Sequence, residues 1–183
     1  MPLWCGALLM LASPATCPIA AQQPAPPANR EQILEVHSKD EKSGSAEKGR
    51  PLFEKRCAGC HRFGGIGKDV GPDLTTITSR FKKRDVLEST LWPSKILSDQ
   101  YAPEMFQMED GKVFSGLIVR ENATAVLLRT SENPEKPVVL TKAQITARAT
   151  STVSLMPEGL LDDLEPSQVA DLLAFVMAPP PDK

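Results

Sequence analysis

Cys57-Ala58-Gly59-Cys60-His61 is the stretch of this sequence whose residue types and spacing do chemistry together. Two thiols three residues apart lie on one side of a helical turn. There they can add across the two vinyl groups at one edge of a porphyrin, and the adjacent imidazole can swing under the ring to the iron. Ala58 and Gly59 are small enough to let a macrocycle approach the backbone. Three other chemistries fit less well. A thioredoxin-like pair would follow a strand and open a helix, whereas this one ends a helical segment. A zinc site would need four ligands, and His37, the one other histidine, falls in a polar stretch. A structural disulfide would have no use for His61.

An iron held by His61 needs something on its other face. Met105, Met108, Met156 and Met177 are the methionines outside the N-terminal segment. Met177 ends a helical pattern, and Met105 and Met108 lie in an alternating run, where core filling is the plainer role. Met156 sits in Ser154-Leu155-Met156-Pro157-Glu158-Gly159, punctuated by Pro and Gly, where a loop can press one side chain inward. Spacing therefore favours Met156, and His37 reads as a solvated histidine. Ten residues past the motif comes Gly71-Pro72-Asp73-Leu74. Its Pro72 carbonyl can accept the second imidazole N–H and so orient the ring, although an ordinary turn accounts for the same residues. Gly64, Gly65 and Gly67 read as a loop passing close to the porphyrin or simply as a flexible one.

These residues need elements to position them. The chain has 183 residues, one domain with trimmings. A formal charge of −2 argues against a generic nucleic-acid binder. Aromatics make up only 5%, so a core of this size calls for another large apolar body. The apolar run at 3–12 is too short to span a bilayer and reads as part of a signal peptide over 1–21, cleaved after Ala20 or Ala21. No second long apolar stretch follows, so no transmembrane span is expected in the mature chain. Residues 22–45 read as a disordered Pro-rich linker, with one or two helical turns at most over 31–39, and 179–183 as a disordered tail.

Between them, 46–56 and 84–91 have helical character, and Pro93 stops the second. Pro166 opens the clearest helix, where Val169, Leu172, Leu173 and Val176 follow i, i+3, i+4, i+7. Pro51 should shorten or kink the first helix. Residues 103–153 instead alternate in about five short runs with Asp110-Gly111 as a hairpin signal, a small curled sheet or barrel set among helices. Arg80, Lys82, Lys83 and Arg84 form the basic cluster, by default a solvated helix entrance and otherwise a dock for an acidic redox partner.

Taken in order, Gly49, Leu52-Phe53, the Cys57–His61 motif, Gly71-Pro72-Asp73-Leu74, Trp92-Pro93-Ser94, Ser154-Leu155-Met156-Pro157 and the final helix resemble class I cytochrome c. More narrowly, the chain is similar to haem-binding domains abundant in Planctomycetes and Verrucomicrobia, which carry a β segment before the distal methionine loop. The likeness covers about 46–178. It implies a mainly α cytochrome c-like fold with an inserted small β-sheet or barrel, α+β overall. It further implies one covalent haem c with its iron, thioethers at Cys57 and Cys60, His61 proximal, Met156 distal and the Pro72 carbonyl on His61. Gly49 and Phe53 would cross the last helix near Leu172 and Phe175.

The function expected from this is an exported, periplasmic monohaem electron carrier, not an enzyme, whose partners are redox donor and acceptor proteins and not nucleic acid. Two rivals stand beside it: a five-coordinate catalytic or gas-binding haem, and a β-barrel interaction module with an accessory haem lobe.

Overall fold

The structure, a computed structural model, describes residues 30–39 and 44–182. The expected signal peptide, half of the expected linker (22–29 and 40–43) and Lys183 lie outside them. Among the described residues there are four α-helices, α1 (Arg30–Lys39), α2 (Ala46–Arg56), α3 (Lys83–Leu91) and α4 (Pro166–Val176). A two-stranded ribbon, β1 (Arg62–Phe63) and β2 (Ile66–Gly67), follows α2. Five further strands lie between α3 and α4: β3 (Glu104–Met108), β4 (Val113–Glu121), β5 (Ala125–Arg129), β6 (Val138–Thr141) and β7 (Ile145–Thr150). The fold is thus mixed, with helices and sheet in separate stretches of the chain.

The helical lobe is built on the crossing of α2 and α4. Ser45 caps α2, its hydroxyl accepting the Lys48 N–H at 3.4 Å. A Cβ built on Gly49 would stand 2.0 Å from the Asp171 carbonyl oxygen and 2.8 Å from the Phe175 Cβ, so the two backbones meet where only glycine fits. Beside that contact, Phe53, Phe63 and Phe175 form a tilted trio with centroids 5.3 to 5.8 Å apart. The crossing falls at Asp171 and Phe175, about where the resemblance implied. Pro51 does not end α2, which runs on to Arg56; packing on α4 outweighs the one helix hydrogen bond a proline forfeits.

Two expectations at the ends of the chain are corrected. Residues 30–39 are a helix docked on the core, not a tether: Arg30, Ile33, Leu34 and His37 are all buried. Their spacing of i, i+3, i+4, i+7 gives α1 one inward face. His37 is therefore not a solvated histidine. At the other end, Pro181 packs on the ribbon, where a Cβ on Gly64 would lie 2.2 Å from the Pro181 carbonyl oxygen. The tail has a seat because Gly64, at φ +58°, leaves room for it.

The five-stranded sheet is antiparallel, in the order β6-β5-β4-β3-β7. It cannot be flat. Four strand spacings would set β6 and β7 about 19 Å apart, while the chain from Thr141 to Ile145 reaches at most about 14 Å. The sheet therefore curls until its edges approach. Register shifts at Gln107/Met108 and Ile118/Arg120 supply the bends, and at Gly116 a Cβ would meet the Arg129 carbonyl oxygen at 2.3 Å. Phe106, Met108, Val126, Leu128 and Leu140 fill the inside as a second small core. The curled sheet agrees with the alternating sequence pattern; no β6–β7 pairing closes it into a full barrel.

The sheet leaves and rejoins the helical lobe at one neck, where the Ser151 N–H donates to the Pro103 carbonyl at 2.7 Å. Farther out, Glu135 in the β5–β6 loop pairs with Lys68, just past the ribbon.

Candidate functional site

The Cys57–His61 segment is the turn that follows α2, with Cys57 as its C-cap. The N–H groups of Cys57 and Ala58 both return to the Phe53 carbonyl, and those of Cys60 and His61 to the Cys57 carbonyl, at 2.8 to 3.0 Å. These bonds make a tight turn that keeps the two cysteines within one turn of the helix end. Both cysteines are free thiols and half-buried. Burial pushes the Cys57 thiol up to about 11, against the opposing pull of Arg56 beside it. Burial raises Cys60 as well. At neutral pH both therefore stand as neutral thiols.

The chain then wraps back over this turn. Lys68 N–H returns to the Ala58 carbonyl, and those of Val70 and Gly71 to the Cys60 carbonyl. That return places the Pro72 carbonyl 2.7 Å from His61 Nδ1. A carbonyl only accepts, so Nδ1 carries the proton and donates it, which leaves Nε2 with its lone pair for a metal. Burial lowers the His61 pKa, and the Pro72 bond opposes that shift. The ring is therefore neutral, as a ligand must be. Gly71 lies against the ring face: a Cβ there would fall 2.8 Å from Cε1.

Around this unit run polar ties that sequence reasoning did not find. Arg62 grips Asp73 through Nε at 2.9 Å and Nη2 at 2.7 Å, joining the same two segments as the His61–Pro72 bond. Asp73 accepts the Thr75 N–H at 2.8 Å, and the Thr75 hydroxyl accepts the Gly64 N–H at 2.9 Å. These contacts, Thr75 first and then Arg62, hold the Asp73 carboxyl down at about 2. The signal was Arg and Asp each next to a site residue, visible only once the turn that pairs them is known.

Among the methionines the structure separates the candidates. Met108 is buried in the inner core of the sheet. Met105 points to the other face of β3 and is 36% exposed. Met177 caps the C-terminus of α4. Met156 is half-buried in a loop pinned to the helical lobe. The Ser154 N–H donates to the Ser94 hydroxyl at 3.1 Å, and the Met156 N–H to the Ser154 hydroxyl at 3.1 Å. Arg56, the residue before Cys57, donates to the Leu160 carbonyl at 2.8 Å and makes a two-pronged pair with Asp163. The start of the attachment motif and the Met156 loop are thus tied directly to each other.

These residues fit a covalently held haem. Two reduced thiols and a neutral, oriented imidazole occupy one turn. Leu52, Ala58, Ile66, Leu74, Val86 and Trp92 are partly buried and pack on the helical core. The donor set does not suit zinc: no group of three or more His, Cys, Asp or Glu side chains stands together among the described residues.

A family model for cytochrome c matches residues 46–126, and no curated protein matches the chain. The matched stretch opens with α2, takes in Cys57–His61, the Gly71–Leu74 turn and α3, and ends inside β5; Met156 lies beyond it.

Proposed function

We propose that this chain, whose residues 46–126 are similar to cytochrome c, is an exported monohaem c-type cytochrome that carries single electrons. Cys57 and Cys60 would hold the haem as thioethers, His61 would be the proximal ligand, the Pro72 carbonyl would orient it, and Met156 would be the distal ligand. The observation that carries this reading is the 2.7 Å contact of His61 Nδ1 with the Pro72 carbonyl, one turn from two free thiols. Met156 is favoured because Met108 is already spent in the core of the sheet and Met105 lies toward solvent.

When bound, such a haem supplies a one-electron couple, and thioether ligation raises its potential. The chain's own residues do the rest. Pro72 fixes the imidazole tautomer, the aromatic trio keeps α2 from shifting against α4, and the pinned Met156 loop holds the second face. If His61 and Met156 both held the iron, no open position would be left for a substrate, no acid, base or nucleophile would be called for, and the reaction would be electron transfer to and from redox proteins in the periplasm. The sheet reads as an insertion between α3 and the distal loop, because its ends meet at Pro103 and Ser151. Among the described residues no helix is long and apolar enough to cross a membrane.

The test is mass spectrometry and spectroscopy of periplasmic protein made with haem-maturation machinery. One covalent haem, a ferrous c-type spectrum and a methionine-to-iron band lost in Met156→Ala are expected. A colourless protein without added mass refutes the reading. A red protein that binds CO rapidly and lacks the band points instead to a five-coordinate haem.

A further inference from the structure

The segment around Met156, residues 151–165, contains no helix or strand, yet a ligand loop must resist being pulled from its metal. Two of its anchors are the Ser94 and Arg56 contacts described above. The third comes from α1. The Arg30 side chain is 4% exposed and reaches between two carboxylates of the loop, Glu158 Oε2 at 3.0 Å and Asp162 Oδ2 at 3.5 Å. Gly159 makes this possible. At φ +79° it turns the chain back so that both carboxylates face one guanidinium, and a Cβ there would stand 3.0 Å from Asp162 Oδ2. α1 itself is held by Ile33 and Leu34 in the helical core and by Arg84 donating to the Ser38 hydroxyl at 3.2 Å.

We infer that Arg30 is a positioning residue for the distal loop, and that α1 is a strap which keeps the segment carrying Met156 closed against the helical lobe. Burial of the guanidinium is the telling feature. A surface ion pair contributes little, but a buried arginine with its Nε unpartnered is kept only where both carboxylates meet it. The carboxylates are themselves 49% and 32% exposed. Loss of Arg30 therefore leaves them hydrated rather than stranded, and the loop loosens without a charge trapped in the core. The clamp needs no haem, whereas the role of the loop as ligand carrier rests on the reading above.

The experiment compares the full-length protein with Arg30→Met, which keeps the apolar stem, and Arg30→Lys, which keeps the charge. Hydrogen exchange read by mass spectrometry on the protein as isolated should speed up by about tenfold in peptides covering 154–164, the scale set by a lost charge-assisted bond, while α2 and α4 stay unchanged. In the haem-loaded protein, cyanide should enter ferric iron about tenfold faster, and the methionine-to-iron band should weaken. Arg30→Lys should recover part of both. Exchange in 154–164 and cyanide entry both within twofold of the parent overturn the inference, as does faster exchange spread evenly over the helical core. A parent protein without haem defeats the cytochrome reading while the exchange result still decides the clamp. Should Arg30→Met not fold, Asp162→Asn, which removes the longer of the two contacts, carries the same expectations at smaller amplitude.

Discussion

Gly49→Ala tests the helix crossing on which the site stands. In an ordinary helix interior this change stabilises by about 1 kcal/mol, because alanine is the better helix former. Here the new Cβ would sit 2.0 Å from the Asp171 carbonyl oxygen and 2.8 Å from the Phe175 Cβ. Ordinary contact begins near 3.4 Å, so α2 and α4 must part by about 1.4 Å along that line. The obstructing atom is helix backbone and cannot rotate away. A gap of half to one ångström already forfeits a quarter to a half of a contact's dispersion energy, and the aromatic trio borders the opened seam. Overpacking of this kind costs about 3 kcal/mol, leaving a net loss of about 2 kcal/mol once the propensity gain is taken off. For a chain of this size that is a fall in Tm of roughly 4–8 °C. The assay is thermal unfolding followed by far-UV circular dichroism. A Tm for Gly49→Ala equal to or above that of the parent would refute the close crossing.

Two further changes probe the loop over the motif. Gly71→Ala puts a Cβ 2.8 Å from His61 Cε1 and 3.2 Å from Nδ1, so the ring must tilt and its bond to Pro72 lengthen. With less electron density returned to the imidazole, its grip on the metal should fall roughly 10–100-fold and the reduction potential should rise; an unchanged potential in a redox titration speaks against the placement. Asp73 is held near 2 by Thr75 and Arg62, below the ordinary aspartate value of 3.8. A depressed carboxylate stabilises the fold above its unfolded pKa, and that contribution disappears as pH falls from about 4 to about 2. Urea unfolding should show this acid slope in the parent and a shallower one in Asp73→Asn; equal slopes would show that Asp73 is not held as described.

The sequence spoke clearly where one element carries the chemistry or the period. Five consecutive residues state the Cys57–His61 motif, and short alternating runs broken by turn residues point to a sheet over 103–153. Two kinds of feature stayed hidden. α1 has a clean inward face, but Arg30 and His37 supply half of it, so a search for apolar periodicity passes over the helix. The pairings Arg62–Asp73, Arg56–Asp163 and Arg30–Glu158 join residues from 11 to 128 positions apart, and nothing local to either partner marks it. Long-range charge pairs exist only once the turns have closed. Hydropathy reads the interior of this molecule and is blind to the arginines that tie its loops down.

The sheet shows how a long excursion can leave a site undisturbed. Ser94 and Ser154 are 60 residues apart in sequence and share a 3.1 Å hydrogen bond. Closing so long a loop is costly in a flexible chain. The Ser151–Pro103 bond removes 48 of those residues (151 − 103) from the path, leaving 12 (60 − 48) to be ordered. With closure entropy growing as 1.5 RT ln n, a fivefold shorter loop saves about 1.4 kcal/mol. The saving depends on the sheet holding its own ends together, which its separate core and five paired strands allow. Once folded, the sheet acts on the helical lobe as a short rigid staple between Pro103 and Ser151. The loop bearing Met156 then begins three residues beyond a fixed point, not at the end of a fifty-residue tether.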